Sequence, residues 1–359
     1  MVPTTKLEAF FARDFERACS SVSGGEAEEV WKSLQFGKVF LTGGTGFFGS
    51  WLLRLFQWAN QHHNAQIEVT VLSRNPAQFQ QRNPDFARLP FLRFVSGDVR
   101  NFEFPSGHFT HIIHAATEAS AKLNEGDPLL MLDTITQGTR RVLDFARTCK
   151  QARLLFTSSG AVYGRQPSEL THIPEIYSGG PNILAATSAY GEGKRYAELL
   201  CAIYYRTHGI IPIIARCFAF AGPYLPMDAH FAIGNFVKDA IDGPVIHVQG
   251  DGTPFRSYMY GADLAFWLLR ILSNGNPGHA YHVGSENDYS IEDIAHIVAD
   301  VAGHLKGHSV AVKIAKQHKP GHLAERYVPK TEKTRSELGL RENFSLQDCV
   351  EAMYRYSQL

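Results

Sequence analysis

Cysteine is scarce: Cys19, Cys149, Cys201, Cys217 and Cys349 are the only five in 359 residues. They are scattered, odd in number and include no CxxC pair. That argues against a disulfide framework or a cysteine zinc site and for a reducing cytoplasm. Net charge is lacking too, with 35 basic residues balancing 35 acidic ones. No basic field is left for nucleic acid or an anionic membrane. No apolar run is long enough to span a bilayer, and early acidic residues do not suit a signal peptide. The sixteen histidines form no HExxH or other ligand set. The pairs His62-His63, His111/His114 and His304/His308 read as surface or core, and no metal is expected. Internal repeats and low-complexity tracts are absent.

What is present is an alternation of strand and helix patterns. Residues 1–36 form an extension. Leu7, Phe10, Phe11, Phe15 and Ala18 recur at helical spacing, and Val30, Trp31 and Leu34 suggest a second short helix. The extension is expected to pack on the main domain, with a role in oligomerisation as the alternative. Strands are predicted at Lys38–Thr42, Glu68–Ser73, Leu92–Ser96, His111–His114 and Arg153–Thr157, with helices at Phe48–Gln61 and Leu129–Thr148 between them. Such alternation predicts a doubly wound, Rossmann-type parallel sheet over residues 37–215, covered on both faces. Further helices are predicted at 190–208, 231–242, 261–273 and 290–303. Residues 216–359 are expected to build most of a smaller, discontinuous α/β lobe that binds substrate across a cleft.

The first strand runs into Gly43-Gly44-Thr45-Gly46-Phe47-Phe48-Gly49 and then a helix. Gly43 permits the tight turn, Gly46 lets a pyrophosphate approach the backbone, and Gly49 lets helix and strand pack closely. The helix N-terminus adds unpaired N–H groups and a positive dipole end. A nicotinamide dinucleotide is therefore expected on this loop. The second strand ends in Ser73-Arg74, without the carboxylate that usually holds the ribose of NAD. The cofactor is thus NAD or NADP, with Arg74 leaning toward NADP. Asp98 and Val99 are read as adenine contacts. Ala115, Ala116 and Thr117 follow the fourth strand, where small residues let the cofactor lie over its tip. Asp263 is expected to cap a helix starting at Leu264.

Tyr190 and Lys194 are four apart on a predicted helix, so they share a face. Taking hydride from a carbinol carbon requires a base for its hydroxyl proton, and a free phenol titrates near ~10. A nearby ammonium and the positive nicotinamide would lower that value. Ser159 could hydrogen-bond the reacting oxygen.

With these residues the chain resembles the extended short-chain dehydrogenase/reductase family, in particular its nucleotide-sugar epimerases and dehydratases. Tyr190-x3-Lys194 resembles the catalytic pair. Ser159, in Ser158-Ser159-Gly160-Ala161-Val162-Tyr163-Gly164, resembles the catalytic Ser or Thr, and Thr42 to Gly49 the cofactor loop. The resemblance implies cofactor contacts at Ser158, Cys217 and Phe218, substrate contacts at Ser159 and Tyr190, and a diphosphate ligand in Arg256. Lys319 and Arg326 lie near further phosphate positions. Ala219 stands where sugar-nucleotide members have Asn, and His230 and Asn235 are candidates to compensate. Ser257 and His282 replace a common Asp and Asn. Relatives commonly form homodimers through the two long helices.

The family's 4,6-dehydratases place Asp-Glu after the catalytic Thr or Ser. Here those positions are Gly160 and Ala161, which disfavours dehydration unless Glu118 or Glu175 serves from elsewhere. The leading expectation is hydride chemistry on a nucleoside-diphosphate sugar, with a 4-epimerase slightly ahead of a 4-ketoreductase. The alternatives are a 4,6-dehydratase, a dehydrogenase of a lipophilic alcohol, and a non-enzymatic NADP-sensing regulator.

Overall fold

The structure, a computed structural model, describes residues 5–20, 22, 26–117, 121–229, 231–318 and 323–359. The first strands are β1 (Lys38–Thr42), β2 (Glu68–Ser73), β3 (Leu92–Ser96), β4 (His111–His114), β5 (Arg153–Ser159) and β6 (Ile211–Cys217). The next are β7 (Phe220–Ala221), β8 (Val245–Val248), β9 (Phe255–Ser257) and β10 (Met259–Tyr260). The last are β11 (Ala280–Val283), β12 (Asp288–Ser290), β13 (Ala311–Ile314) and β14 (Arg326–Tyr327).

Seven of these form one sheet in the order β3-β2-β1-β4-β5-β6-β11, every pairing in it parallel. Strands buried on both faces need apolar side chains at successive positions. In β1, Val39 and Leu41 enter one core while Phe40 enters the other. The helices Phe47–His62 and Gly261–Asn274 cover the first face; Pro128–Ala146 and Ala189–His208 cover the second. The expected doubly wound sheet is therefore present, and the order reverses between β1 and β4, where ligands bind in such folds.

The smaller strands lie outside this sheet, mostly in the part of the chain expected as a second lobe: β9 lies between β12 and β14, and β8 pairs with β13. The helix expected over 261–273 spans Gly261–Asn274, with Tyr260 as its N-cap, so it starts before Leu264. Asp263 is not a cap. It is fully buried and accepts hydrogen bonds from Asn343 N (2.8 Å) and Nδ2 (3.2 Å).

The extension packs on the main domain. Its helices Lys6–Cys19 and Glu26–Leu34 bury Phe11, Phe15 and Trp31. Phe11 and Phe15 meet Trp51 edge-on at 5.2 and 5.9 Å, a favoured aromatic geometry. Asp14 accepts from the Tyr260 hydroxyl at 2.6 Å, which ties the extension to the start of the helix Gly261–Asn274.

Candidate active site

The glycine loop ends β1 and opens the helix Phe47–His62. Gly43 has φ +76°, and a Cβ there would stand 2.3 Å from the Ala115 carbonyl oxygen. Only glycine permits that conformation beside that neighbour. At Gly49 a Cβ would stand 2.3 Å from the Gly44 Cα. Gly46 differs: it is exposed, and a Cβ would meet only the Gly43 oxygen at 3.5 Å. The loop is thus packed against protein at Gly43 and Gly49 and open at Gly46, on the side where a pyrophosphate would lie. Thr45, Phe47 and Phe48 are half-buried around it. Ala115 and Ala116 follow β4, with Ala115 against Gly43. These residues fit a dinucleotide.

Other expected cofactor contacts are already engaged with protein. The Asp98 carboxylate accepts from Arg100 Nε and Nη2, both at 2.9 Å. That fork holds its pKa below the usual carboxylate value, and Arg74 acts in the same direction. Arg100 was missed in the sequence, although a guanidinium two residues after Asp98 is the local signal for it. Val99 packs on the helix behind the sheet, since a Cβ on Gly138 would stand 2.9 Å from it. Ser158 donates to Glu198 Oε1 at 2.5 Å, and Glu198 also pairs with Arg216 at 2.7 Å. Ser158 is therefore tied into a buried polar network rather than turned freely to the groove.

Tyr190 and Lys194 stand on the helix Ala189–His208, and Ser159 at the end of β5. The start of that helix is gripped by a residue the sequence reading overlooked. Asn124 accepts from Tyr190 N (3.1 Å) and donates to Thr187 O (2.8 Å). Lys194 Nζ donates to Thr117 Oγ1 (3.0 Å) and to Thr157 O (2.7 Å). Burial lowers its pKa to about 8. Tyr190 lies deep in the protein but keeps some solvent contact, as a residue on a cleft floor would. Burial pushes its phenol up to about 12, against a lowering hydrogen bond from Ser159. The expected acid phenol is thus not produced by the protein alone. Lys194, with Nζ 5.8 Å from the Tyr190 ring centroid, does not offset the desolvation.

From the second lobe comes Tyr327, also unforeseen. Its hydroxyl lies 3.4 Å from Ser159 Oγ, and its ring packs on Phe218 at 4.9 Å. Cys217 is buried beside the site, its thiol pushed up to about 12 by burial. Arg256 pairs across from Tyr327 in the β9–β14 register, and its Nη1 donates to Phe255 O at 2.8 Å. Asn235 lines a cavity of about 500 Å³ with Lys238, Asp239, His247 and Asp251. Arg326 is ion-paired with Asp288. Glu175 faces His282, not Ser159: its Oε1 accepts from His282 N at 3.4 Å. His230, Lys319 and Glu118 lie outside the described residues. Among the described residues no cluster of three or more His, Cys, Asp or Glu side chains could hold a metal. No helix there is long and apolar enough to cross a membrane.

The model of the NAD dependent epimerase/dehydratase family matches residues 39–284. The chain belongs to that family. As a member of the NAD-dependent epimerase/dehydratase family it is an enzyme of the extended short-chain dehydrogenase/reductase group, as its motifs implied. A UDP-glucuronic acid decarboxylase 3 of Arabidopsis thaliana is 29% identical over 317 residues, covering 88% of this chain and 87% of that protein. A dTDP-glucose 4,6-dehydratase of Streptomyces venezuelae, solved with NAD, superposes with a TM-score of 0.73 at 26% identity, covering 89% of this chain and 97% of the other. A UDP-glucuronic acid 4-epimerase of Bacillus cereus, solved with UDP-glucuronic acid and NAD, has the same fold, with TM-score 0.73 at 21% identity, covering 89% and 99%. The family's cofactor is NAD. Arg74, which suggested a 2′-phosphate, is coupled to the Asp98 carboxylate, whose charge offsets its pull on such a group.

Proposed function

We propose that the enzyme reversibly oxidises C4 of a nucleoside-diphosphate sugar, with epimerisation at C4 as the net outcome. One observation carries this reading. Tyr190, Ser159 and Lys194 converge beside an open glycine cradle, while Gly160 and Ala161 follow Ser159 with no carboxyl group. Redox chemistry at a carbinol carbon is thereby provided for. Among the described residues a neighbouring acid for eliminating water is not, since Glu175 is turned toward His282.

When bound, the dinucleotide supplies the acceptor and donor of hydride and, oxidised, a positive charge that favours the phenolate. The protein does the rest. Tyr190 Oη takes the C4 hydroxyl proton and later returns it. Ser159 donates to the C4 oxygen and fixes its distance from Tyr190. Lys194, drawn from Thr117, binds the ribose hydroxyls and adds positive charge below the phenol. Arg256 binds the diphosphate, and the cavity lined by Asn235 takes the nucleoside. The intact Tyr190–Lys194 pair favours an enzyme over a sensor, and Arg256 with the polar second lobe favours a nucleotide sugar over a lipophilic alcohol.

The test is NMR of products from UDP-glucose, UDP-glucuronic acid and dTDP-glucose incubated in deuterated water. The expected product is the C4 epimer with its C5 proton retained. A 4-keto-6-deoxy sugar, or a pentose formed with loss of carbon dioxide, would overturn the reading.

A further inference from the structure

The position after Ser159 is glycine for a reason the substrate does not explain. A Cβ on Gly160 would stand 2.8 Å from the Tyr327 hydroxyl and 2.6 Å from the Phe218 ring. The space where a side chain would follow the catalytic serine is therefore filled by a phenol. That phenol arrives on β14, 168 residues further along the chain.

The Ser159 hydroxyl has one hydrogen to give and two lone pairs to receive. One lone pair accepts from Ala161 N at 3.1 Å. The Tyr327 hydroxyl lies 3.4 Å from the same oxygen, and Tyr190 is close enough for Ser159 to lower its pKa. A single hydrogen cannot serve both, so one phenol donates to Ser159 while the other receives from it. Burial pushes the Tyr327 phenol up, and Tyr190 adds to the rise, so Tyr327 keeps its proton to donate.

We propose that Tyr327 is a positioning residue that sets the direction of this hydroxyl chain. By donating to Ser159 it occupies the second lone pair and leaves the serine's only hydrogen for Tyr190 before substrate binds and for the reacting oxygen afterwards. The role of Gly160 is to leave room for it. The second lobe, which also carries Arg256 on the strand paired with β14, thus completes the site on the dinucleotide-binding lobe. Without the Tyr327 hydroxyl, Ser159 is free to accept from Tyr190, which leaves the base protonated. This inference rests on Tyr190 being the base.

The groups facing Tyr190 are Ser159 on β5, Lys194 on its own helix, Cys217 on β6 and Tyr327 on β14. Ionisation of Tyr190 can therefore be read in NAD-saturated protein by phenolate absorbance, as the signal lost in Tyr190→Phe. The expected result is a midpoint about one pH unit higher in Tyr327→Phe, as for loss of one hydrogen bond to a charged acceptor. Gly160→Ala, which crowds the phenol, should reproduce the shift, and the double variant should be no worse than either single one. In turnover, kcat should fall up to about tenfold at neutral pH and recover as pH rises, with KM changed less than about threefold. An unmoved midpoint with unchanged turnover in Tyr327→Phe would overturn the proposal. Absence of any Tyr190-dependent signal would instead overturn the assignment of the base. Melting curves show whether either variant has failed to fold. If Gly160→Ala does, Tyr327→Phe, which removes one oxygen, still decides.

Discussion

At the scale of residues, chemistry depends on hydroxyls whose partners are few and countable. Tyr190→Phe removes the base while leaving ring packing intact. It is expected to lower kcat by about 10²–10⁴-fold with no change in bound dinucleotide, measured by turnover and by absorbance of the released cofactor. Asn124→Ala removes the acceptor of Tyr190 N and frees the start of its helix. One such bond is worth about 1 kcal/mol, so kcat should fall about fivefold while the melting temperature barely moves. Two buried carboxyls give a pH signature unrelated to catalysis. Burial raises Asp263 from 3.8 to about 7 and Glu342 from 4.5 to about 8. Both are held protonated by the fold, so their contribution is fully present below about pH 4 and is lost as pH rises through 7 and 8. The urea midpoint should therefore drop between about pH 4 and pH 8 and level off above that. Asp263→Asn with Glu342→Gln should flatten that drop, and an unaltered slope would count against the assignment.

At the scale of elements, the sequence was most informative where the signal is local. The strands β2, β3 and β4 were read to the residue because each is a short apolar run bounded by turns. The glycine loop was legible because strand, glycines and helix follow one another without a gap. Gly49→Ala tests that junction: a Cβ 2.3 Å from the Gly44 Cα and 2.5 Å from the Gly43 oxygen has only backbone to push against. NAD affinity should fall at least about tenfold by fluorescence titration, since displaced backbone misplaces the phosphate donors. What was not legible depends on contacts between distant elements. Tyr327 reaches Ser159 from another lobe, and Glu198 takes Ser158 from across the sheet. Asp263 looked like a cap because its partner, Asn343, lies 80 residues away. The acidity expected of Tyr190 was overestimated for a similar reason: spacing puts Lys194 on the same face, but burial of the phenol cannot be seen in the sequence.

At the scale of the whole molecule, the extension and the two long helices have different tasks. Phe11, Phe15 and Trp31 cover Trp51 and Trp58, so deleting residues 1–36 exposes a continuous aromatic surface. The melting temperature should fall by on the order of 10 °C, in a scan at constant protein concentration. On the opposite side, Tyr196, Leu199 and Ile203 of the helix Ala189–His208 are 48%, 57% and 44% exposed. We read this face as the homodimer contact; sedimentation at micromolar concentration should give twice the chain mass, and Leu199→Glu should return it to one. The proposed function turns on one event, the withdrawal of a proton by Tyr190 as a sugar carbon is oxidised. It is followed most directly by absorbance at ~340 nm when NAD-loaded protein is mixed with an accepted nucleotide sugar in a single turnover. The account predicts a transient rise that decays as the epimer forms in the wild type and is abolished in Tyr190→Phe. An equal rise in that variant would contradict it.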